Sequence, residues 1–197
     1  MKKGLNIHWL VTTLVFCFTA KVHLFAQNNA EVGNEADYGV KAGINYAELW
    51  GEDALPESDR KVGYSFGVYT THKISKHLKL QAEVLWSLQG EDSENSGRYK
   101  ISYVNIPVML KWSEGNFYYE LGPQIGLLTV NTAKSVPDEL KLENFETFDF
   151  SMNLGLGYKL NEDWAIGVRY CQGLSNIVDD RDLKNSVLYL GLSLSVF

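Results

Sequence analysis

Cysteine, proline and basic charge are all scarce in this chain of 197 residues. With only 2 Cys and 4 Pro the chain is neither a disulfide-stapled mini-protein nor collagen-like, and 45% hydrophobic residues exclude a disordered chain. Lys and Arg number 18 against 24 Asp and Glu, so the chain lacks the basic stripe that binding to nucleic-acid phosphates needs. The length favours a single domain.

The first 27 residues have the layout of a secretory signal peptide. Lys2 and Lys3 precede a mostly apolar stretch, and polar residues follow it. We expect cleavage between Ala26 and Asn28. The alternative is a transmembrane anchor, but the apolar run is shorter than the roughly 20 residues that span a bilayer. No later run is long and apolar enough for a membrane helix either.

Cleavage divides the chain into a signal peptide (1–27), a polar linker (28–37) and one domain (38–197). It removes three lysines and no acidic residue, so the mature chain is more acidic than the net charge of −6 indicates. Only Cys171 remains, so the mature domain has no internal disulfide.

Period-2 alternation of apolar and polar residues, the pattern of β-strands, recurs eight times. The predicted strands cover 38–47, 61–73, 77–88, 99–112, 116–130, 147–160, 163–174 and 186–197. Short turns (74–76, 113–115, 161–162) alternate with long polar loops (48–60, 89–98, 131–146, 175–185). This arrangement predicts an all-β fold, an eight-stranded antiparallel up-and-down transmembrane β-barrel. Closure pairs every strand edge, as lipid requires.

Each predicted strand has one apolar face and one face rich in Gly, Ser, Asn and charged residues. A soluble lipocalin-type barrel would turn the apolar face inward, and that alternative stays open. We expect it to face outward in the outer membrane of a Gram-negative bacterium, because small polar side chains suit a narrow lumen and the chain ends on a strand. Aromatic residues near strand ends also fit interfacial girdles: Trp86, Trp112, Tyr158 and Trp164.

Two motifs within these strands are distinctive. Residues 103–112 read Tyr-Val-Asn-Ile-Pro-Val-Met-Leu-Lys-Trp, and 169–176 read Arg-Tyr-Cys-Gln-Gly-Leu-Ser-Asn. They resemble the Tyr-Leu-Glu-Ile-Pro-Leu-Leu-Leu-Lys-Tyr strand and the Arg-Tyr-x-x-Gly-Leu-x-Asn segment of the PorT-like outer-membrane β-barrel family. Weaker matches lie at 67–90 and 118–126. The matching motif residues are Ile106, Pro107, Lys111, Gly122, Pro123, Arg169 and Gly173.

The resemblance implies an eight-stranded outer-membrane barrel whose family namesake is associated with protein secretion and gliding machinery. Most members share architecture only, so the fold assigns no function. Asn105 departs from the family's usual Glu. Phe197 has the parity of the polar face, so its ring faces lipid only if a bulge shifts the register. Pro107 and Pro123 lie within strands, where we expect bulges or bends.

Charged side chains recur on the inferred lumen face. They allow an ion path, a small-ligand site or a self-paired core, and we favour the last because an eight-stranded interior is just filled by side chains. Glu83 with Arg169 is the expected pair. The full set is Lys41, Lys79, Glu83, Lys111, Glu120, Asp149, Lys159 and Arg169.

Catalysis is not expected, because the only histidines beyond the signal are His72 and His77, beside a short turn. No Cys/His spacing fits zinc, and we expect no metal or cofactor. The long loops hold most of the acidic residues. Asp179, Asp180 and Asp182 allow cation binding, but a solvated loop explains them as well.

Two functions remain open from the sequence. The first is a monomeric structural or interaction barrel in the cell envelope, in contact with outer-membrane lipids and docking to envelope or secretion-machinery proteins. The alternative is a narrow pore or small-ligand-binding barrel. The first is favoured because eight strands rarely leave a channel.

Overall fold

The computed structural model describes residues 36–52, 61–88, 91–93, 97–134, 146–176, 182 and 184–196. The predicted signal peptide, most of the linker and Phe197 lie outside these residues. Within them the chain forms nine strands: β1 (Ala36–Trp50), β2 (Lys61–Lys73), β3 (Leu78–Leu88), β4 (Glu91–Ser93), β5 (Gly97–Glu114), β6 (Phe117–Lys134), β7 (Phe148–Lys159), β8 (Trp164–Gly173) and β9 (Lys184–Ser195).

Eight long strands close into a barrel by antiparallel pairing. Each pairs with its neighbour in the chain, β1 pairs with β9, and β3 pairs with β5. The predicted eight-stranded antiparallel barrel is therefore confirmed. We call the end with turns 74–77, 115–116 and 160–163 the short-turn end, and the other the long-loop end. No helix among the described residues is long and apolar enough to cross a membrane.

The ninth strand corrects the prediction of a loop over 89–98. β4 pairs only with β5, through Glu91 with Tyr99 and Ser93 with Gly97. It extends the β3–β5 hairpin at the long-loop end, in a polar stretch with no hydrophobic alternation. β1 also begins two residues before the predicted position, and β6 extends four residues beyond its predicted end.

Large hydrophobic side chains cover the outside of the barrel, and polar ones fill the inside. Leu154 is 62% exposed and Ile44 55%, whereas Glu83 is 0% and Asn153 1% exposed. A water-soluble domain has the opposite distribution, with apolar side chains inside and charged ones on the surface. The predicted outward apolar face is present, and such a surface requires lipid rather than water.

Aromatic residues on this outer face lie toward both ends. Trp112, Tyr158 and Trp164 lie near the short-turn end, where Phe117 contacts Tyr158 with ring centroids 5.0 Å apart. Trp86 lies toward the long-loop end, and its ring centroid is 5.2 Å from that of Phe66. These are the positions of interfacial girdles in membrane barrels.

Pro107 and Pro123 do not mark bulges, which corrects the sequence-based expectation. Pro107 is opposite Gln124 and Pro123 is opposite Met152, and the register is the same on either side of each proline. The register shift in the β5–β6 pair instead lies between Ser102 and Tyr103. A proline only removes one donor from the ladder, and the adjacent pairs hold the register.

If the apolar face contacts lipid, the energetic cost of placing a charge on it depends on how deep in the bilayer that position lies. We expect Leu154→Arg, midway along β7, to lower the free energy of unfolding by roughly 2–4 kcal/mol in lipid vesicles. Leu160→Arg is the matched control, because Leu160 is equally exposed but lies in a short turn. Urea titration of both variants measures the difference. Equal costs would contradict a membrane boundary between the two positions.

Candidate functional site

Arg169 on β8 lies at the centre of a buried ionic cluster inside the barrel. Its Nη1 donates to Glu83 Oε2 at 2.9 Å, and its Nη2 donates to Glu83 Oε1 at 2.6 Å. Its Nε donates to Glu120 Oε1 at 2.7 Å. Lys41 Nζ donates to Glu83 Oε1 at 3.1 Å. The predicted pair of Glu83 and Arg169 is present. Two cations and two carboxylates compensate each other where water is excluded, and the bidentate guanidinium fixes their geometry.

These four residues come from strands spaced a quarter of the barrel apart. In the closed order β3-β2-β1-β9-β8-β7-β6-β5, β3 is diametrically opposite β8, and β1 is opposite β6. Glu83 and Arg169 therefore meet across one diameter of the lumen, and Lys41 and Glu120 project from the ends of the other. We call this set the lumen cross (Lys41, Glu83, Glu120 and Arg169).

Neighbouring polar groups extend the lumen cross toward the short-turn end. Gln81 Nε2 donates to Glu83 Oε1 at 2.5 Å, and Thr71 Oγ1 donates to Gln81 Oε1 at 3.4 Å. Lys111 Nζ donates to the same Gln81 oxygen at 3.4 Å and lies 3.7 Å from the centre of the Tyr118 ring, a cation–π contact. Gln81 therefore connects Lys111 to Glu83 through hydrogen bonds.

Inward-facing tyrosines pack over glycines of their own strand or of a neighbouring one, a feature that sequence reasoning missed. A Cβ on Gly157 would lie 2.0 Å from Cζ of Tyr118, and one on Gly191 would lie 2.0 Å from Oη of Tyr189. The Glu120 side chain needs similar space, since a Cβ on Gly155 would lie 2.6 Å from its Cγ. The alternation of faces in the sequence could have indicated this packing, because these glycines and tyrosines share the lumen face of their strands.

Hydrogen-bonded polar side chains continue from the lumen cross toward the long-loop end. Asn45 Nδ2 donates to Ser87 Oγ at 2.7 Å, and Asn153 Nδ2 donates to Gln124 Oε1 at 3.4 Å. The cavity beside them has a volume of about 30 Å³, which is space for about two water molecules. Asn105, the departure from the family motif, lines this cavity.

A larger cavity of about 510 Å³ lies at the short-turn end. Lys79 and Lys159 line it, and Lys79 Nζ donates to Asp37 Oδ2 at 2.5 Å. Gln81 and Lys111 line the same cavity and separate it from the lumen cross. The prediction of a lumen filled by side chains is therefore wrong at this end.

The eight predicted lumen residues thus divide into groups. Five lie together: Lys41, Glu83, Lys111, Glu120 and Arg169. Lys79 and Lys159 lie in the short-turn cavity, and Asp149 lies toward the opposite end, where it accepts a hydrogen bond from Ser175 Oγ at 3.0 Å. The predicted set did not include Gln81, although it has lumen parity, or Asp37, which the sequence assigned to the linker and which lies in β1.

The remaining motif residues surround this interior. Pro107 is fully buried, and Ile106 is half-buried on the opposite face of β5. A Cβ on Gly122 would lie 1.9 Å from the carbonyl oxygen of Val108, and one on Gly173 would lie 2.4 Å from that of Asn185. Both glycines therefore permit close approach of neighbouring backbones.

The two histidines that the sequence singled out lie on the outer surface of the barrel. His72 and His77 are exposed at the short-turn end, and His77 stacks on Trp112 with centroids 5.6 Å apart. In the part of the chain that the structure describes, no three His, Cys, Asp or Glu side chains could hold a metal ion together. Asp179 and Asp180 lie outside the described residues.

Asp182 in the same loop has partners of its own. The Lys184 ammonium and the backbone N–H of Glu52 both donate to its carboxylate, and they hold its pKa below the usual range. The contact ties the loops after β1 and β8 to each other at the long-loop end.

The comparisons with known proteins agree with this geometry. Residues 25–179 match the model of the outer membrane protein beta-barrel domain. The chain belongs to this family. The prediction of an outer-membrane barrel is therefore confirmed, and the alternative of a soluble lipocalin-type barrel is wrong.

Solved structures with the same fold include two outer-membrane barrels. Neisserial surface protein A aligns with a TM-score of 0.54 at 14% identity, covering 82% of this chain and 99% of that one. Ail, the attachment invasion locus protein of Yersinia pestis, aligns with a TM-score of 0.53 at 11% identity, with coverages of 82% and 99%. No curated protein matches the chain.

The lumen cross predicts a large effect of removing its central cation. Arg169→Leu leaves two carboxylates buried without the guanidinium, and we expect it to destabilise the barrel by roughly 3–5 kcal/mol. The matched control is Lys79→Leu, which breaks a partly exposed ion pair and should cost under about 1 kcal/mol. Thermal unfolding in detergent compares the two. Similar melting temperatures for Arg169→Leu and the parent would exclude a stabilising role for the cluster.

Proposed function

We propose that this outer-membrane barrel is a PorT-like structural and docking component of the cell envelope, exported by the signal peptide at 1–27. It is neither a channel nor an enzyme. The observation that carries the proposal is the lumen cross, which places four charged side chains across the lumen at its middle. The cavity on its long-loop side has a volume of about 30 Å³, space for about two water molecules.

The family motifs around Pro107 and Arg169 support the PorT-like assignment. One motif contributes Lys111 and the other contributes Arg169, and both side chains lie in the polar interior. One motif thus supplies the central cation of the lumen cross, and the other supplies a lysine next to it. That placement suits a scaffold whose functional surfaces are its ends.

The short turns offer rigid surfaces for a partner. Leu160 N donates to the Trp164 carbonyl at 2.8 Å, and Asn161 Oδ1 accepts from the N–H of Asp163 and Trp164 at 3.0 and 2.7 Å. The turn after β2 is closed by Ile74 N donating to the Leu78 carbonyl at 2.9 Å. In outer-membrane barrels such short turns face the periplasm, so a preorganised surface would be available to periplasmic proteins.

Site-specific photocrosslinking in intact outer membranes tests the docking role. A photoreactive side chain at Ser75 or at Glu162 lies in a short turn, and one at Leu154 on the lipid face is the matched control. We expect the turn positions, but not Leu154, to capture one defined envelope or secretion-machinery protein that mass spectrometry identifies. Recovery of the uncrosslinked monomer at both turns would contradict the proposal.

A further inference from the structure

The cavity at the short-turn end has the size of a ligand site. Its volume of about 510 Å³ falls within the range of small-molecule pockets, roughly 300–1,000 Å³. We call this cavity the cup. Its inner wall is polar and includes Thr71, Ser113, Ser193 and Ser195. Among these groups the Ser113 hydroxyl has no partner within the described chain, and an apolar ligand would leave it without a hydrogen bond, so the cup suits a polar ligand.

Three lysines line the cup, and they differ in their partners. Lys79 is neutralised by Asp37 at 2.5 Å. The Nζ atoms of Lys111 and Lys159 have no carboxylate oxygen of a described residue within 4.0 Å, the limit for an ion pair. Lys111 contacts the Gln81 side-chain oxygen and the Tyr118 ring, which leaves part of its three-donor capacity unused.

The floor of the cup does not supply the missing negative charge. Glu83 and Glu120 lie below it, and Glu120 is the cross-strand neighbour of Lys111, but the three cations Lys41, Lys111 and Arg169 outnumber these two carboxylates. Ser113 adds a second signal, because its Oγ is buried and has no hydrogen-bond partner within the described chain. Two ammonium groups and an unused hydroxyl therefore line the same cavity.

The acids of the cup lie at its rim. Glu162 and Asp163 are exposed in the turn between β7 and β8, where solvent and salt screen their charge. They weaken the attraction for an anion without neutralising Lys111 or Lys159. Removal of one rim acid should consequently strengthen anion binding.

We propose that the cup binds a small anion with a phosphate or carboxylate group, held by Lys111 and Lys159 with Ser113 as an additional hydrogen-bond partner. The ligand enters from the short-turn end and cannot continue through the lumen cross. The inference does not rest on the docking role, because anion binding is measured on the purified barrel without a partner protein.

Titration of the purified, folded barrel in nonionic detergent tests the site, with inorganic phosphate, glycerol 3-phosphate and succinate as separate probes. Calorimetry gives the affinity, and amide NMR shifts at Ser113, Gly115 and Asn116 locate the site. We expect saturable binding of at least one probe. Tighter binding of glycerol 3-phosphate than of inorganic phosphate would indicate an organic phosphate, and preference for succinate would indicate a carboxylate.

Charge-matched variants decide whether the cup is responsible. Lys159→Gln and Lys111→Gln should each weaken binding roughly tenfold, the worth of one charge-assisted hydrogen bond. Lys76→Gln removes the same charge from an exposed turn and should change affinity less than twofold. Glu162→Gln should strengthen binding roughly twofold at low salt.

Lys159→Gln is the decisive variant, because Lys111 also packs on Tyr118 and its loss affects folding. Absence of saturable binding to all three probes at millimolar concentration would overturn the proposal. Equal weakening by Lys76→Gln and Lys159→Gln would also overturn it, since binding would then follow net charge rather than the cup.

Discussion

The need to compensate Arg169, which is only 3% exposed inside the barrel, constrains the rest of the interior. A guanidinium there requires carboxylates within hydrogen-bond reach, and Glu83 and Glu120 supply them at 2.6 to 2.9 Å. These partners come from strands on different sides of the barrel. One set of contacts therefore neutralises the buried charge, joins opposite walls and closes the lumen.

The same constraint explains why the interior is built from small and flat residues around the lumen cross. Glu120 occupies space above Gly155, and the Tyr118 and Tyr189 rings cover Gly157 and Gly191. Larger residues at these glycines would displace the side chains that surround the ions. Among the described residues the buried apolar cluster is small, comprising Ala47, Cys171 and Val187. Stability consequently depends on closure of the strand ladder, on lipid contact and on the ionic cluster.

The period-2 pattern was sufficient to predict the eight strands of the barrel, the outward apolar face and the lumen position of Glu83 and Arg169, because parity alone decides which face a residue occupies. It did not distinguish Lys41 from Lys79, which share that face. Their height along the barrel axis depends on the stagger between strands, which alternation does not encode. Strand β4 was missed for another reason, since its pairing lacks a hydrophobic pattern. The cup was missed because volume depends on how side chains from non-adjacent strands meet.

Single-channel recording of the purified protein in planar bilayers tests most directly the claim that the lumen cross seals the barrel. Insertion is verified independently by protease protection in the same lipid. The account predicts no resolved conductance steps from inserted wild-type protein across the voltage range that the bilayer tolerates. Reproducible, ohmic steps that scale with the amount of inserted protein would contradict it.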